Sequence, residues 1–303
     1  MPASQHQSPP AESPFRRSWQ PTALIRASVG VHLTAAAAAM TEVQLWPWAL
    51  SAVVVNHLVL TAAGLMPKSS LLGPNWTRLP GSSGENPAVV ALTFDDGPDP
   101  EVTPRVLALL EAYGAKATFF GVGERVTAYA SLAKEIVGRG HALENHSHRH
   151  LHRFSLLGPR GCALEVARAQ QAIVAATGER PWFFRAPAGL RNPFLEPALA
   201  QAGLQLVSWT RRGLDTVSGD ADAILARLCR GLGSGDILLL HDGHAALSPR
   251  GRPVILEVLP RLLDRLAAAD LAAITLREAL GRPATLAPRE TPEPPVPASV
   301  ARS

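Results

Sequence analysis

AVVALTFDDGP, residues 88–98, joins an apolar run to two adjacent carboxylates and a Gly-Pro turn. The run reads as a buried strand, and the turn ends it. Outward from this stretch the pattern repeats. ATFFG (117–121), His141–Asn145, Trp182–Arg185, Gln205–Trp209, Asp236–His241 and Leu271–Thr275 are further strand candidates. Helical segments fill the gaps. Thr103-Pro104 reads as an N-cap followed by Pro at the first helical position, in a helix that runs to about Tyr113 and closes at Gly114. Gly161–Thr177 stops at Gly178. Seven strands alternating with helices imply a parallel α/β sheet or barrel, whose sites lie at the carboxyl ends of strands.

The flanks differ in kind. Residues 1–21 carry Pro2, Pro9, Pro10, Pro14 and Pro21 among Ser and Gln, and are expected to form a disordered leader. Leu45 to Met66 contains no Asp, Glu, Lys or Arg and is long enough to cross a bilayer, with Trp46 and Trp48 at one end. Asn56 and His57 interrupt it. Thr22 to Met40 is a softer apolar stretch that carries Arg26 and His32. Residues 22–66 therefore read as a transmembrane hairpin, with a single span or two buried helices as alternatives. Arg16, Arg17 and Arg26 precede or open the pair, Lys68 and Arg78 follow it, and the connection carries only Glu42. The positive-inside rule then puts both ends, and residues 67–303, on the cytoplasmic side of a bacterial-type inner membrane; a single span would allow the other side. Residues 67–87 read as a linker, 88–282 as the catalytic domain and 283–303 as a disordered Pro-rich tail.

Composition narrows the function. Of the 303 residues, 47% are hydrophobic and 18% charged, so a sizeable core is available and a fully disordered chain is excluded. Two cysteines, Cys162 and Cys229, exclude a disulfide scaffold and a cysteine zinc finger. Aromatics at 5% argue against a base-stacking nucleic-acid binder, and no nucleic-acid partner is expected. The formal charge of +4 is dispersed, which suits a solvated surface, with anionic lipid head groups as the alternative partner.

Chemistry gathers at the strand ends. Asp95 and Asp96 end the first strand; a DG turn alone would explain them, but adjacent carboxylates can also take separate roles. The third strand runs into ENHSHRHLH (144–152), where His146 and His150 are four apart, as are His148 and His152. That spacing puts two imidazoles on one face of a helical turn, within reach of one metal, and does not choose between the pairs. FFRAPAG (183–189) suggests a rigid loop with exposed amides after Arg185, and DILLLHDG (236–243) puts His241 at another strand end as a candidate acid or base. The remaining histidines, His244 among them, are read as structural.

The order TFDDGP, H-x-x-x-H, R-x-P-x-G and a strand ending L-x-H resembles the polysaccharide deacetylase family, the NodB-homology enzymes of carbohydrate esterase family 4, over roughly residues 88–282. GRGHALENHSHRH resembles the family's run into its metal histidines, which selects His146 and His150. The resemblance implies a distorted (β/α)7-type barrel and a divalent metal, usually zinc. Asp96, His146 and His150 match the metal ligands, Asp95 the catalytic base and Arg185 the arginine that holds it. Ala188 matches the residue whose N–H contributes to the oxyanion hole, His241 the general acid and Asp215 the aspartate that orients it. The family often has an aromatic residue where Ala188 stands and Trp where Thr216 follows Asp215, so a long polysaccharide groove is in question. The implied activity is removal of an N-acetyl or similar small acyl group from an amino sugar in a polysaccharide, oligosaccharide or glycolipid. An O-acetyl esterase on the same site and a non-catalytic, membrane-tethered carbohydrate-binding module are the alternatives.

Overall fold

The computed structural model describes residues 13–81 and 88–281. In chain order it contains α1 (Ala23–Thr41), α2 (Trp46–Leu65), β1 (Asn75–Trp76), β2 (Val89–Asp95), α3 (Thr103–Ala112), β3 (Ala117–Gly121), α4 (Gly123–Ala128), α5 (Ala130–Gly138), β4 (Ala142–Asn145), α6 (Pro159–Thr177), β5 (Phe183–Phe184), α7 (Leu195–Ala202), β6 (Gln205–Val207), β7 (Arg211–Arg212), α8 (Ala221–Cys229), β8 (Ile237–His241), α9 (Ile255–Ala268), β9 (Ala272–Ala273) and α10 (Leu276–Leu280).

The strands form one parallel sheet in the order β1-β6-β5-β4-β3-β2-β8-β7, with β9 paired to the start of β2. The path ends at β1 and β7, which do not pair with each other, so the sheet curls into a half-barrel and stays open. All seven expected strands are present, several shorter than their apolar runs. The short strands β1 and β7 add an edge each and were not expected.

Strand alternation sets which side chains face the inside of the curl. On β2 the even positions Val90, Leu92 and Phe94 pack outward against helices α3, α5, α8 and α9, in the largest core cluster. The odd positions Val89 and Ala91 share the inner cluster with Phe120, Phe183, Ile237 and Leu239. Continuing the inner row leads from Ala91 through Thr93 to Asp95, from Phe183 to Arg185, and from Leu239 to His241. Register then brings these ends level: Asp95 pairs with His241 across β2 and β8, and Asn145 with Phe184 across β4 and β5.

Local signals explain most helix ends. Pro159 opens α6, and Gly178, at φ 77°, closes it in the left-handed conformation that costs glycine little. Thr103 is the first residue of α3 rather than its cap; its hydroxyl instead accepts from the Asp99 N–H and donates to Asp242.

The flanks depart from expectation in part. Residues 1–12, 82–87 and 282–303, which include most of the expected leader, the end of the expected linker and the expected tail, lie outside the described residues. Residues 13–21 are not free. Phe15 packs on Trp76 and Phe183 with ring centroids 5.6 and 5.3 Å away, and Arg17 pairs with Glu196 at 2.5 Å. The stretch after α2 supplies β1, and Asn75 bonds back to the Pro67 and Ser69 carbonyls. Helices α1 and α2 pack on each other with little of either buried, and both are long and apolar enough to cross a membrane. Asn56 donates to Ser28 at 2.9 Å, and His32 and His57 meet at 3.3 Å between their Nε2 atoms. The base of the pair is seated on the domain: the Arg191 N–H donates to the Gly64 carbonyl, and a Cβ on Gly64 would fall 2.2 Å from the Arg191 oxygen.

Candidate active site

The carboxyl ends of β2, β4, β5 and β8 surround a cleft of about 610 Å³. Asp95 ends β2 on the inner row. Its Oδ1 accepts from Arg185 Nη1 at 2.7 Å, and its Oδ2 lies 3.8 Å from His146 Nε2. Arg185 is 1% exposed and spends its donors on the Asp95 carboxylate, the Thr93 hydroxyl and the Val207 and Ser208 carbonyls. It also lies 4.1 Å over the Phe120 ring. A buried guanidinium survives only when its donors are met in this way.

Asp96 would face outward if the strand continued. Its φ of 72° turns the chain back, so that both carboxylates reach the cleft. Aspartate tolerates the left-handed region better than most residues. Asp96 Oδ1 lies 3.3 Å from His146 Nε2 and 3.1 Å from His150 Nε2. The expected helical turn at 146–150 is absent. The segment is a loop with Ser147 at φ 63° and His150 at φ 50°, and these two turns aim both imidazoles at Asp96. Of the two histidine pairs left open by spacing, His146 and His150 converge on Asp96. His148 packs against Gly123, where a Cβ would fall 2.5 Å from its Nδ1. His152 lines the cleft at 6.5 Å from the His150 ring.

The donor set fits a divalent metal. One ligand atom each from Asp96, His146 and His150 lie within 4.8 Å of one another. Asp96 Oδ1 is buried with no hydrogen-bond partner in the protein. His146 Nδ1 faces the Arg185 carbonyl at 2.8 Å. A carbonyl only accepts, so Nδ1 carries the hydrogen and Nε2 is left as a lone-pair donor toward a cation.

The opposite wall is β8 with the loop before α8. His241 Nδ1 meets Asp215 Oδ1 at 2.8 Å, and its backbone N–H donates to Asp215 Oδ2, also at 2.8 Å. Asp215 is fully buried, and Leu214 before it sits at φ 65°. With Nδ1 engaged, the Nε2 side of the ring is free to face the cleft, which His241 lines. Ala188, at φ 55°, projects from a 3-10 turn fixed by N–H bonds from Gly189 and Leu190 to the Ala186 and Pro187 carbonyls. Of the seven left-handed non-glycine residues among the described ones, Asp96, Ser147, His150, Ala188, Leu214 and His244 lie in or beside the cleft and Asp270 lies in the turn after α9; at a site, backbone strain of about 1–3 kcal/mol each is tolerated for positioning.

Charge and burial compete in the titration of these groups. Burial pushes Asp96 up, but the neighbouring His146, His244 and His150 outweigh it and hold the carboxyl well below the usual range. Burial pushes His241 down, and the Asp215 carboxylate more than reverses this, raising it. Burial and the neighbouring His146 charge lower His150. Asp242, behind the site, is pushed up to about 7 by burial despite its bond from Thr103.

Sequence reading missed several cleft residues. His244, read as structural, stands at φ 57° with Nδ1 3.6 Å from Asp96 Oδ2 and is 64% exposed. Trp209 and Arg212 form another wall, with the guanidinium 5.5 Å from the indole. Thr93 was legible from alternation alone, since it shares the inner row with Asp95.

Comparison with known proteins agrees with this geometry. The family model described as polysaccharide deacetylase matches residues 82–207. A peptidoglycan-N-acetylglucosamine deacetylase of Bacillus cereus is 33% identical over 197 residues, spanning 64% of this chain and 89% of the relative. A chitooligosaccharide deacetylase of Sinorhizobium fredii is 36% identical over 162 residues, 53% of this chain and 75% of the relative. Among solved structures, a family 4 carbohydrate esterase from Streptomyces lividans, in complex with acetate, superposes with a TM-score of 0.56 at 35% identity, covering 61% of this chain and 91% of that one.

Proposed function

The chain belongs to the polysaccharide deacetylase family, carbohydrate esterase family 4, and from that premise we propose that it is a metal-dependent amidohydrolase that removes the N-acetyl group of an amino sugar. Its enzyme class is that of a carbohydrate N-deacetylase, a hydrolase of non-peptide carbon–nitrogen bonds. The related enzymes named for peptidoglycan and chitooligosaccharides support a substrate among N-acetylglucosamine-containing molecules. The observation that carries the reading is the convergence of a complete base, acid and ligand set on one cleft.

Asp96, His146 and His150 are the proposed ligands, and zinc is the proposed metal. When bound there, such an ion supplies Lewis acidity toward the acyl oxygen and a more acidic water. The protein does the rest. Asp95, held in place by its ion pair with Arg185, takes the proton of the attacking water on Oδ2. The Ala188 N–H donates to the developing oxyanion. His241, protonated and oriented by Asp215, donates from Nε2 to the departing nitrogen, since an amine leaves poorly unless protonated. The C–N bond breaks, the new C–O bond gives acetate, and the sugar keeps a free amine.

Helices α1 and α2 are proposed as a membrane anchor. Their lengths of 19 and 20 residues suit a hydrocarbon layer of about 30 Å. Arginines before α1 and Lys68 and Arg78 after α2 favour a cytoplasmic catalytic domain, and a reporter fused after Ser303 reads out the side. The test of activity is acetate release by the detergent-purified chain from N-acetylglucosamine oligomers. Release that stops with a chelator and returns with zinc supports the reading; release indifferent to chelation contradicts the metal assignment.

A further inference from the structure

A second, apolar groove lies outside the catalytic cleft. It holds about 510 Å³ between α1, α2 and segments 155–156 and 191–194, with Val29, Leu33, Leu60, Leu65, Leu156 and Phe194 on its walls. Leu156 is 83% exposed and Phe194 46% exposed, although both belong to the catalytic domain. Apolar side chains so exposed beside a membrane-length hairpin mark a surface made for hydrocarbon.

Shared lining residues link the groove to the cleft. Leu65, at its end, also lines a shallow depression formed with Met66–Leu71 and Trp209, and Trp209 is a wall of the catalytic cleft. Gly189 marks the junction: a Cβ there would lie 2.6 Å from the Trp209 ring and 2.9 Å from Pro67. Arg212 stands at the same junction, over Trp209. Its Nε is buried with no hydrogen-bond partner, and among the described residues no carboxylate pairs with it. The other arginines of the cleft, Arg125 and Arg149, are each held at 2.7 Å by Asp99 and Glu165. An uncommitted guanidinium at the exit of a sugar site is suited to an anion. A carboxylate ends a molecule, whereas a phosphodiester joins two parts and stays charged.

We propose that the substrate is an amphiphile, an N-acylated amino sugar joined through a phosphate to a long hydrocarbon chain. The sugar lies between Asp95 and His241, the phosphate at Arg212, and the chain runs past Trp209 and Leu65 into the groove beside α1 and α2. This rests on the deacetylase reading of the cleft and narrows its substrate class. The reaction is unchanged: water cleaves the amide C–N bond, and the phosphate linkage is untouched.

The test uses the full chain in detergent and three probes: N-acetylglucosaminyl-1-phosphoryl-farnesol, N-acetylglucosamine 1-phosphate without a chain, and farnesyl N-acetylglucosaminide without a charge. The first is expected to exceed each of the others in kcat/KM by about tenfold or more. Arg212→Gln is expected to erase the preference for the charged linkage, and Val29→Trp, at a half-exposed groove position, the preference for the chain. Retention of farnesyl phosphate in native mass spectrometry is a second readout, independent of turnover and metal, and should fall in both variants. Turnover of oligomers with no preference for the farnesyl phosphate probe overturns the proposal and leaves the deacetylase reading standing. Equal retention of farnesyl phosphate by wild type and both variants also overturns it. Retention lost in both variants, with no acetate from any probe, supports the lipid site and contradicts the catalytic reading.

Discussion

The two walls of the cleft are held in different ways. Between β2 and β5, Asp95 and Arg185 sit at 3% and 1% exposure, and every polar atom that positions the base is committed to a neighbour. On the loop side, Asp96 keeps a buried oxygen without a protein partner, His150 is 22% exposed by side chain and His244 64%. Adjacent residues in the chain, Asp95 and Asp96, thus end in opposite conditions. One is paired with a fixed cation; the other keeps an oxygen that the proposed metal would take. A carboxylate meant to accept a proton needs a fixed orientation, and a ligand needs a vacant lone pair. The difference supports Asp95 as the proposed base and Asp96 as the proposed ligand.

Substitutions test that contrast from its strongest point outward. Asp96→Ala should remove the metal and lower kcat/KM by about 10³-fold or more, checked by metal analysis beside turnover. A variant that loses turnover with its metal intact would move Asp96 out of the ligand set. Arg185→Met should act on stability instead, since it leaves the Asp95 carboxylate buried and unpaired at a cost of about 3–5 kcal/mol, read from the urea midpoint. A midpoint within the error of wild type would mean that Asp95 is not held by this ion pair.

The acid wall gives a pH signature. Asp215 raises the His241 pKa against burial, so the donor form persists to higher pH than an ordinary histidine and is lost above that raised value. In Asp215→Asn the main raising influence is gone, only the Asp95 and Asp96 charges still oppose burial, and the pKa falls. The alkaline limb of kcat/KM should move to lower pH, with a loss at the optimum of about 10²-fold. An unmoved limb would assign it to another group. The smallest effect is expected at His244, which meets Asp96 at 3.6 Å and is mostly exposed. His244→Ala should cost less than about tenfold, through its weak hold on a ligand; a larger loss would make His244 part of the machinery.

Much of this was legible in the sequence, for a definite reason. Thr93, Asp95, Arg185 and His241 continue the inner rows of strands whose apolar runs are strong, so strand recognition carried the side chains with it. Where backbone leaves regular structure, reading failed. The loop from His146 to His150 is set by left-handed turns at Ser147 and His150 and not by helical spacing, although its two histidines still converge. β1 and β7 have two residues each, too few for any periodic signal. Phe15 and Arg17 sit in a Pro-rich stretch, yet are tied down by partners far along the chain, Phe183 and Glu196. Trp209 and Pro67 meet at Gly189 only through the fold.

The central claim, that base and ligand set are separate devices, is met most directly by Asp95→Asn. Bound metal and acetate release are measured on the same preparation, with wild type alongside. The account predicts one metal per chain in both proteins, and turnover in the variant lowered by about 10²-fold or more, as expected for loss of a general base. Turnover close to wild type, or loss of the metal together with activity, would contradict it.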